Sequence, residues 1–169
     1  FTEPATWLAP PQPAAVRGPL LGLFSGGTNC VEALAILEEH LGPVRSNVHP
    51  DPARHIGPGD DPGGAPALLD LGDDELTAGR PHPMIDPAPV AERLAAVRGG
   101  VVLLDVVLGH GAHPDPASVL APALAASGAA PVVTLVGTAG DPQRLDRQAQ
   151  ALAAAGAVVH RSLARAATH

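Results

Sequence analysis

The sequence predicts an α/β protein, a three-layer α/β/α sandwich around a mostly parallel sheet. Short apolar runs of strand length at residues 19–24, 67–71, 101–108 and 130–136 alternate with stretches whose apolar positions recur at helical spacing. The run at 101–108 is nearly continuous Val and Leu, the pattern of a strand buried on both faces in the middle of a parallel sheet. The helical stretches between the main strands are long enough for right-handed crossovers, which makes the sandwich the economical arrangement.

The elements follow in order. Residues 1–18 are proline-rich and without sustained periodicity, and read as an arm or linker outside the sheet, with Trp7 and Leu8 left to pack on the domain surface or on a neighbour. The domain proper is then 19–169. Its first strand, 19–24, is stopped by Ser25-Gly26-Gly27-Thr28, and Val31, Leu34, Ala35, Leu37 and Leu41 mark a helix over 29–40 that ends at Gly42-Pro43. An extended start at 44–48 leads into an irregular insertion at about 49–66, too rich in Pro, Gly and Asp to fill a core. A strand at 67–71 precedes Gly72-Asp73-Asp74-Glu75, whose crowded negative charge reads as a solvated turn, a helix cap or a place for a cation. Residues 81–87 are irregular, and 88–97 form an amphipathic helix with Val90, Leu94 and Val97 on one face. After the strand at 101–108 come a helix at 116–126, a strand at 130–136, a surface helix at 142–155 and a last short strand at 158–160.

Composition narrows the function. The 169 residues fit one ordinary domain, or a smaller one with an arm. Tyrosine is absent and phenylalanine scarce, so the core is built from Val, Leu, Ile and Ala. A net charge of −7, with all ten basic residues scattered arginines, excludes a polyanion-binding stripe and with it nucleic acid. No apolar run approaches the roughly 18 residues of a membrane span, and no signal-peptide pattern opens the chain, so a cytoplasmic protein is expected. The first residue is Phe, which reads as trimming or excision from a longer polypeptide. The single cysteine, Cys30, follows a glycine turn and reads either as a nucleophile at a helix start or as a small buried hydrophobe.

Three loops follow apolar runs and, if those runs are parallel strands, line one rim where open α/β sheets bind ligands. In the first, Ser25, Gly26, Gly27 and Thr28 form a tight turn with exposed amides, where Thr28 or Asn29 could cap the helix and an anion could dock. The turn lacks both the dinucleotide and the P-loop pattern, so a cap without ligand is the competing reading. The second loop carries His110 and His113 before Asp115, and His82 stands close to Arg80 upstream. These residues suit proton transfer, anion recognition, a divalent metal, or polar anchoring of the loop. The third loop offers Gly137 and Thr138. Arg80 is the best single anion-binding candidate, with a salt bridge to Asp74 or Asp86 as the structural alternative. Asp105 interrupts the central strand and needs donors there, for instance at a helix terminus. No serine-hydrolase elbow is present.

The motifs Gly22-Leu23-Phe24-Ser25-Gly26-Gly27-Thr28-Asn29-Cys30, Leu71-Gly72-Asp73-Asp74-Glu75-Leu76-Thr77-Ala78-Gly79-Arg80-Pro81-His82-Pro83-Met84-Ile85-Asp86-Pro87 and Leu104-Asp105-Val106-Val107-Leu108-Gly109-His110-Gly111-Ala112-His113-Pro114-Asp115-Pro116 resemble the carboxy-terminal part of the FdrA family. That family is itself similar to the ligase regions of succinyl-CoA synthetase. The resemblance covers about residues 19–165. It implies a flavodoxin-like CoA-ligase domain belonging to an acyl-CoA synthetase-like or carbamoyl-transfer enzyme, such as an oxamate carbamoyltransferase, and incomplete alone as a ligase or transferase. It further implies a CoA-binding-like companion domain or subunit, a homo-oligomer, a small anionic substrate, and no firmly bound cofactor or metal, CoA or phosphate arriving through the companion. The related alpha chains phosphorylate a histidine after the strand resembling 131–138, whereas this chain continues Ala139-Gly140-Asp141-Pro142-Gln143. Their supporting glutamate falls where this chain has Val106-Val107-Leu108-Gly109. On this resemblance His110 or His113 would take over proton or phosphoryl handling. The alternative is a noncatalytic subunit or assembly domain that keeps the fold.

Overall fold

A computed structural model describes residues 6–7, 16–57, 59–60 and 63–169. Its strands are β1 (Thr6–Trp7), β2 (Leu20–Phe24), β3 (Arg45–Ser46), β4 (Ala67–Asp70), β5 (Val101–Val107), β6 (Ala130–Val136) and β7 (Val158–His160). The helices are α1 (Gly27–Leu41), α2 (Asp74–Thr77), α3 (Ala88–Ala96), α4 (Pro116–Ser127), α5 (Leu145–Ala154) and α6 (Leu163–Ala167). The strands make one sheet in the order β1-β7-β6-β5-β2-β4-β3, and every pairing is parallel except that of β1 with β7.

Alternation along each strand sends side chains to opposite faces and so makes two cores. On one face Leu23, Leu69, Leu104, Leu135 and Val159 pack with Val90 and Leu94 of α3, Leu120 and Leu124 of α4, and Leu152 of α5. On the other, Phe24, Leu68, Leu103 and Val132 pack with Cys30, Leu34 and Leu37 of α1 and Leu163 of α6. This is the three-layer α/β/α sandwich expected from the sequence. Burial of β5 on both faces follows from its place between β2 and β6.

The chain leaves β2 through α1 toward β3 and β4 on one side, and leaves β5 through α4 toward β6 and β7 on the other. The topological switch point, where doubly wound sheets bind ligands, therefore lies between the carboxyl ends of β2 and β5. Because β6, β5 and β2 are parallel neighbours, all three glycine-bearing loops stand along that rim.

Several elements depart from the expectation. Thr6–Trp7 lies within the stretch read as an arm, yet its backbone pairs with Val159 and His160 and covers the edge of β7. The suggested packing of Trp7 and Leu8 lies outside the described residues. The extended start at 44–48 shrinks to the two residues of β3, followed by a 3-10 turn at Pro52–Arg54 capped by Asp51. The acidic loop after β4 is not simply a solvated turn: Asp73 accepts the Glu75 amide and starts α2. The surface helix begins three residues later than the pattern suggests, since Arg144 has a left-handed φ of 62°. The five residues of α6 carry too little periodicity to be read in advance. Among the described residues, no helix is long and apolar enough to cross a membrane.

Candidate functional site

At the switch point, β2 ends in Phe24 and the chain turns into α1 through Ser25 and Gly26. The turn is organised from β5. Ser25 donates its amide (2.7 Å) and its hydroxyl (2.8 Å) to Oδ1 of Asp105, and Asn29 Nδ2 donates to Oδ2 (2.7 Å). Neither Thr28 nor Asn29 caps the helix, because Asn29 is turned inward and Thr28 is exposed. The N-cap is Gly26, with extended backbone and no side-chain bond. The first helical bond runs from the Cys30 amide to the Gly26 carbonyl (3.1 Å). The amides of Gly27, Thr28 and Asn29 thus have no partner among the described residues, as expected for an uncapped first turn.

A second carboxylate stands beside the turn. Asp70 ends β4; its backbone is held both ways by the Asn47 side chain, at 2.9 and 2.8 Å, and its Oδ1 accepts the Gly72 amide (2.9 Å). A Cβ at Gly27 would come within 2.9 Å of Asp70 Oδ2, so only glycine leaves room for the carboxylate beneath the helix start. A Cβ at Gly72 would come within 2.5 Å of His82 Nε2 and 2.6 Å of the Ser25 carbonyl oxygen. Burial pushes both carboxyl groups above the usual carboxylate range; the bonds from Ser25 and Asn29 oppose this at Asp105, and that from Gly72 opposes it at Asp70.

The loop after β5 is pinned from α5 and the turn before it. Buried Gln143 accepts the Gly109 amide (3.1 Å) and donates to the carbonyls of Gly109 (2.7 Å) and His113 (3.3 Å). Gln148, also buried, accepts the Ala117 amide and donates to Asp115, which in turn receives Arg147 at 2.6 Å. The His113 ring accepts the Asp115 amide on Nδ1, and its own amide bonds to Met84, joining this loop to the segment that carries His82. His110 is exposed. Neither imidazole hydrogen-bonds to the Ser25–Thr28 turn among the described residues.

The third loop largely satisfies itself. Thr138 gives its amide to Asp141 (2.6 Å), and the Gly137 carbonyl accepts Arg161 (2.7 Å). It offers an anion less than the first loop does. Arg80 is exposed just beyond α2 and forms no ion pair with Asp74 or Asp86, so the salt-bridge alternative is not realised. Asp86 instead accepts the Ala88 amide at the start of α3. Cys30 is wholly buried and burial pushes its thiol up to about 12, which removes the nucleophile reading and leaves a small hydrophobe in the core. No group of three His, Cys, Asp or Glu side chains among the described residues could hold a metal ion.

Sequence reasoning missed Asp70, Asn47, Gln143 and Gln148. Asp70 had a usable signal, an acidic residue closing an apolar run, like Asp105 within its own. The two glutamines had none, since a surface helix rich in polar residues does not reveal which of them turn inward.

A family model described as CoA-ligase matches residues 23–169. The chain is also 37% identical over 170 residues to the uncharacterized protein YahF of Escherichia coli strain K12. That match covers 88% of this chain and 30% of YahF, so the chain spans about a third of the length of that relative. A doubly wound sheet with its crevice at the β2/β5 switch point, together with a family match running from β2 to the last residue, shows that the chain belongs to the CoA-ligase family.

Proposed function

We propose that this domain supplies the anion-facing rim of an acyl-CoA synthetase-like or carbamoyl-transfer enzyme, of the FdrA type, with an oxamate carbamoyltransferase as the specific candidate. One observation carries the reading: the unpartnered amides of Gly27, Thr28 and Asn29 head a fifteen-residue helix at the switch point. A helix start combines free N–H donors with the positive end of the macrodipole, which suits the phosphate or carboxylate of an acyl or carbamoyl phosphate. Transfer of such a group needs donors aimed at developing negative charge. Asp70 and Asp105 beside the turn oppose an anion while they are ionised, and burial pushes both carboxyl groups above the usual carboxylate range. Arg80 adds an exposed guanidinium, and a companion CoA-binding-like domain would carry CoA.

A noncatalytic assembly role is the second reading, favoured by a loop directly after β6, Gly137-Thr138-Ala139-Gly140-Asp141-Pro142-Gln143, that carries no histidine. Calorimetric titration of the purified chain with carbamoyl phosphate, CoA and inorganic phosphate separates the two. Saturable binding that Arg80→Ala weakens by roughly three- to tenfold is expected, the range for losing one solvent-exposed charge contact. No heat of binding with any of the three would favour the assembly role.

A further inference from the structure

We propose that the cavity at the amino ends of β2 and β5 is a binding site for a small carboxylate with an apolar body. It lies at the opposite ends of these strands from the switch-point crevice and is independent of what that crevice binds. The cavity measures about 280 Å³, and its walls come from three parts of the chain. Leu21 and Leu69 belong to the sheet, Ile56 to the insertion, and Ala96 and Val97 to the end of α3. Ile56 and Leu69 are themselves members of the core, so the floor is apolar.

Small residues and a short helix leave the space open. Gly64 and Gly99 line it without side chains, and a Cβ built on either would meet no atom beyond its neighbours in sequence within 4 Å. α3 stops at Ala96, and Val97 continues as extended backbone, so no further helical turn reaches across. A dry apolar cavity of about 150 Å³ holds benzene, so this one takes a ligand of roughly ten heavy atoms.

The polar part is one edge of the lining. Arg98 donates from Nη1 to the carbonyls of Ala95 (2.6 Å) and Val97 (2.7 Å), which fixes its guanidinium at the end of α3. Its Nε and Nη2 make no hydrogen bond among the described residues, so the side of the fork that matches a carboxylate is open. Arg93 lines the same cavity. Asp60, the one acid among the lining residues, turns its carboxyl to the Gly57 amide (2.7 Å). Two arginines against one aspartate make that lining net positive, which favours an anionic head over a neutral or cationic one.

Octanoate is the probe, with octylammonium, octanol and hexanoate beside it. Binding to the purified chain is measured calorimetrically and located by amide NMR shifts. Saturable octanoate binding is expected, with the largest shifts at residues 97–101. Hexanoate should bind at least about fivefold more weakly, because it buries two fewer methylenes. Octylammonium and octanol should each bind at least about threefold more weakly than octanoate, for want of the charge contact. Arg98→Gln, at an exposed position and checked for folding by thermal unfolding, should weaken octanoate by roughly three- to tenfold and leave octanol unchanged. Absence of saturable binding, or largest shifts at residues 27–29, overturns the site. Octylammonium or octanol binding as tightly as octanoate, or full octanoate affinity in folded Arg98→Gln, overturns the carboxylate and Arg98 as its partner. The wild-type comparisons decide the matter even where the variant does not fold.

Discussion

Asp105 takes two bonds from Ser25 and one from Asn29, so a turn at the start of the domain is shaped by a carboxylate eighty positions later. In Asp105→Asn the new amide keeps an acceptor for Ser25 but sets a donor against Asn29. The expected loss is about 1–3 kcal/mol, the usual cost of leaving a buried polar group without its partner. Combining it with Asn29→Asp reverses donor and acceptor and restores the contact. Urea unfolding at neutral pH should therefore give the double variant more stability than the sum of the two single changes predicts, by at least ~0.5 kcal/mol. Strict additivity would mean that the Asn29 bond does not organise the turn. At this scale the sequence showed that Asp105 needs donors, since a carboxylate in a buried strand must find them. It did not show that Ser25 and Asn29 supply them, because nothing local links residues so far apart.

The elements most legible in the sequence are those with many periodic positions. β5, β6, α1 and α4 appear within a residue or two of their expected bounds, because their apolar residues repeat over enough turns or pleats to be unambiguous. β1, α2 and α6 are two, four and five residues long, below the length at which periodicity can be read. The loop after β5 has a different determinant, the side chain of Gln143 reaching across from the residues before α5. Gln143→Ala removes all three of its bonds to Gly109 and His113. Hydrogen exchange at the Gly109 amide should accelerate at least about tenfold, with a stability loss of roughly 1–3 kcal/mol. Unchanged exchange at Gly109 would show that the loop is held by something other than this glutamine.

For the molecule as a whole, the buried carboxylates set a pH dependence whose sign is unusual for acidic side chains. Asp70 and Asp105 both have folded-state values above the usual one. Once pH exceeds about 3.9, the unfolded chain releases protons that the fold retains, so their contribution to stability falls as pH rises toward the folded-state values. Below that point it is fully present. Partial burial acts upward on Glu38 as well, but hydrogen bonds from Arg54, His49 and Val44 outweigh it and hold that carboxyl below its usual range. Glu38 therefore contributes above the unfolded value and loses its contribution as pH falls through the folded one. Urea unfolding as a function of pH should show that Asp70→Asn gains stability relative to wild type on going from pH 4 toward neutrality. A constant difference between the two proteins would mean that Asp70 is not held toward its neutral form.

By itself the sequence determined the layered α/β fold, the order of its main strands and helices, and the three loops that would share a rim. These properties are written in apolar period and in glycine and proline punctuation, both of which are local. Only the tertiary structure decided which of those loops keeps unpartnered donors. It showed Thr138 already bonded to Asp141, His113 engaged by its own loop, Cys30 sealed in the core, and Asp70 and His82 drawn to the turn before α1. The physical reason is that a polar group's availability depends on whether a distant part of the chain has already satisfied it, and that is settled when β2, β4 and β5 come to lie side by side.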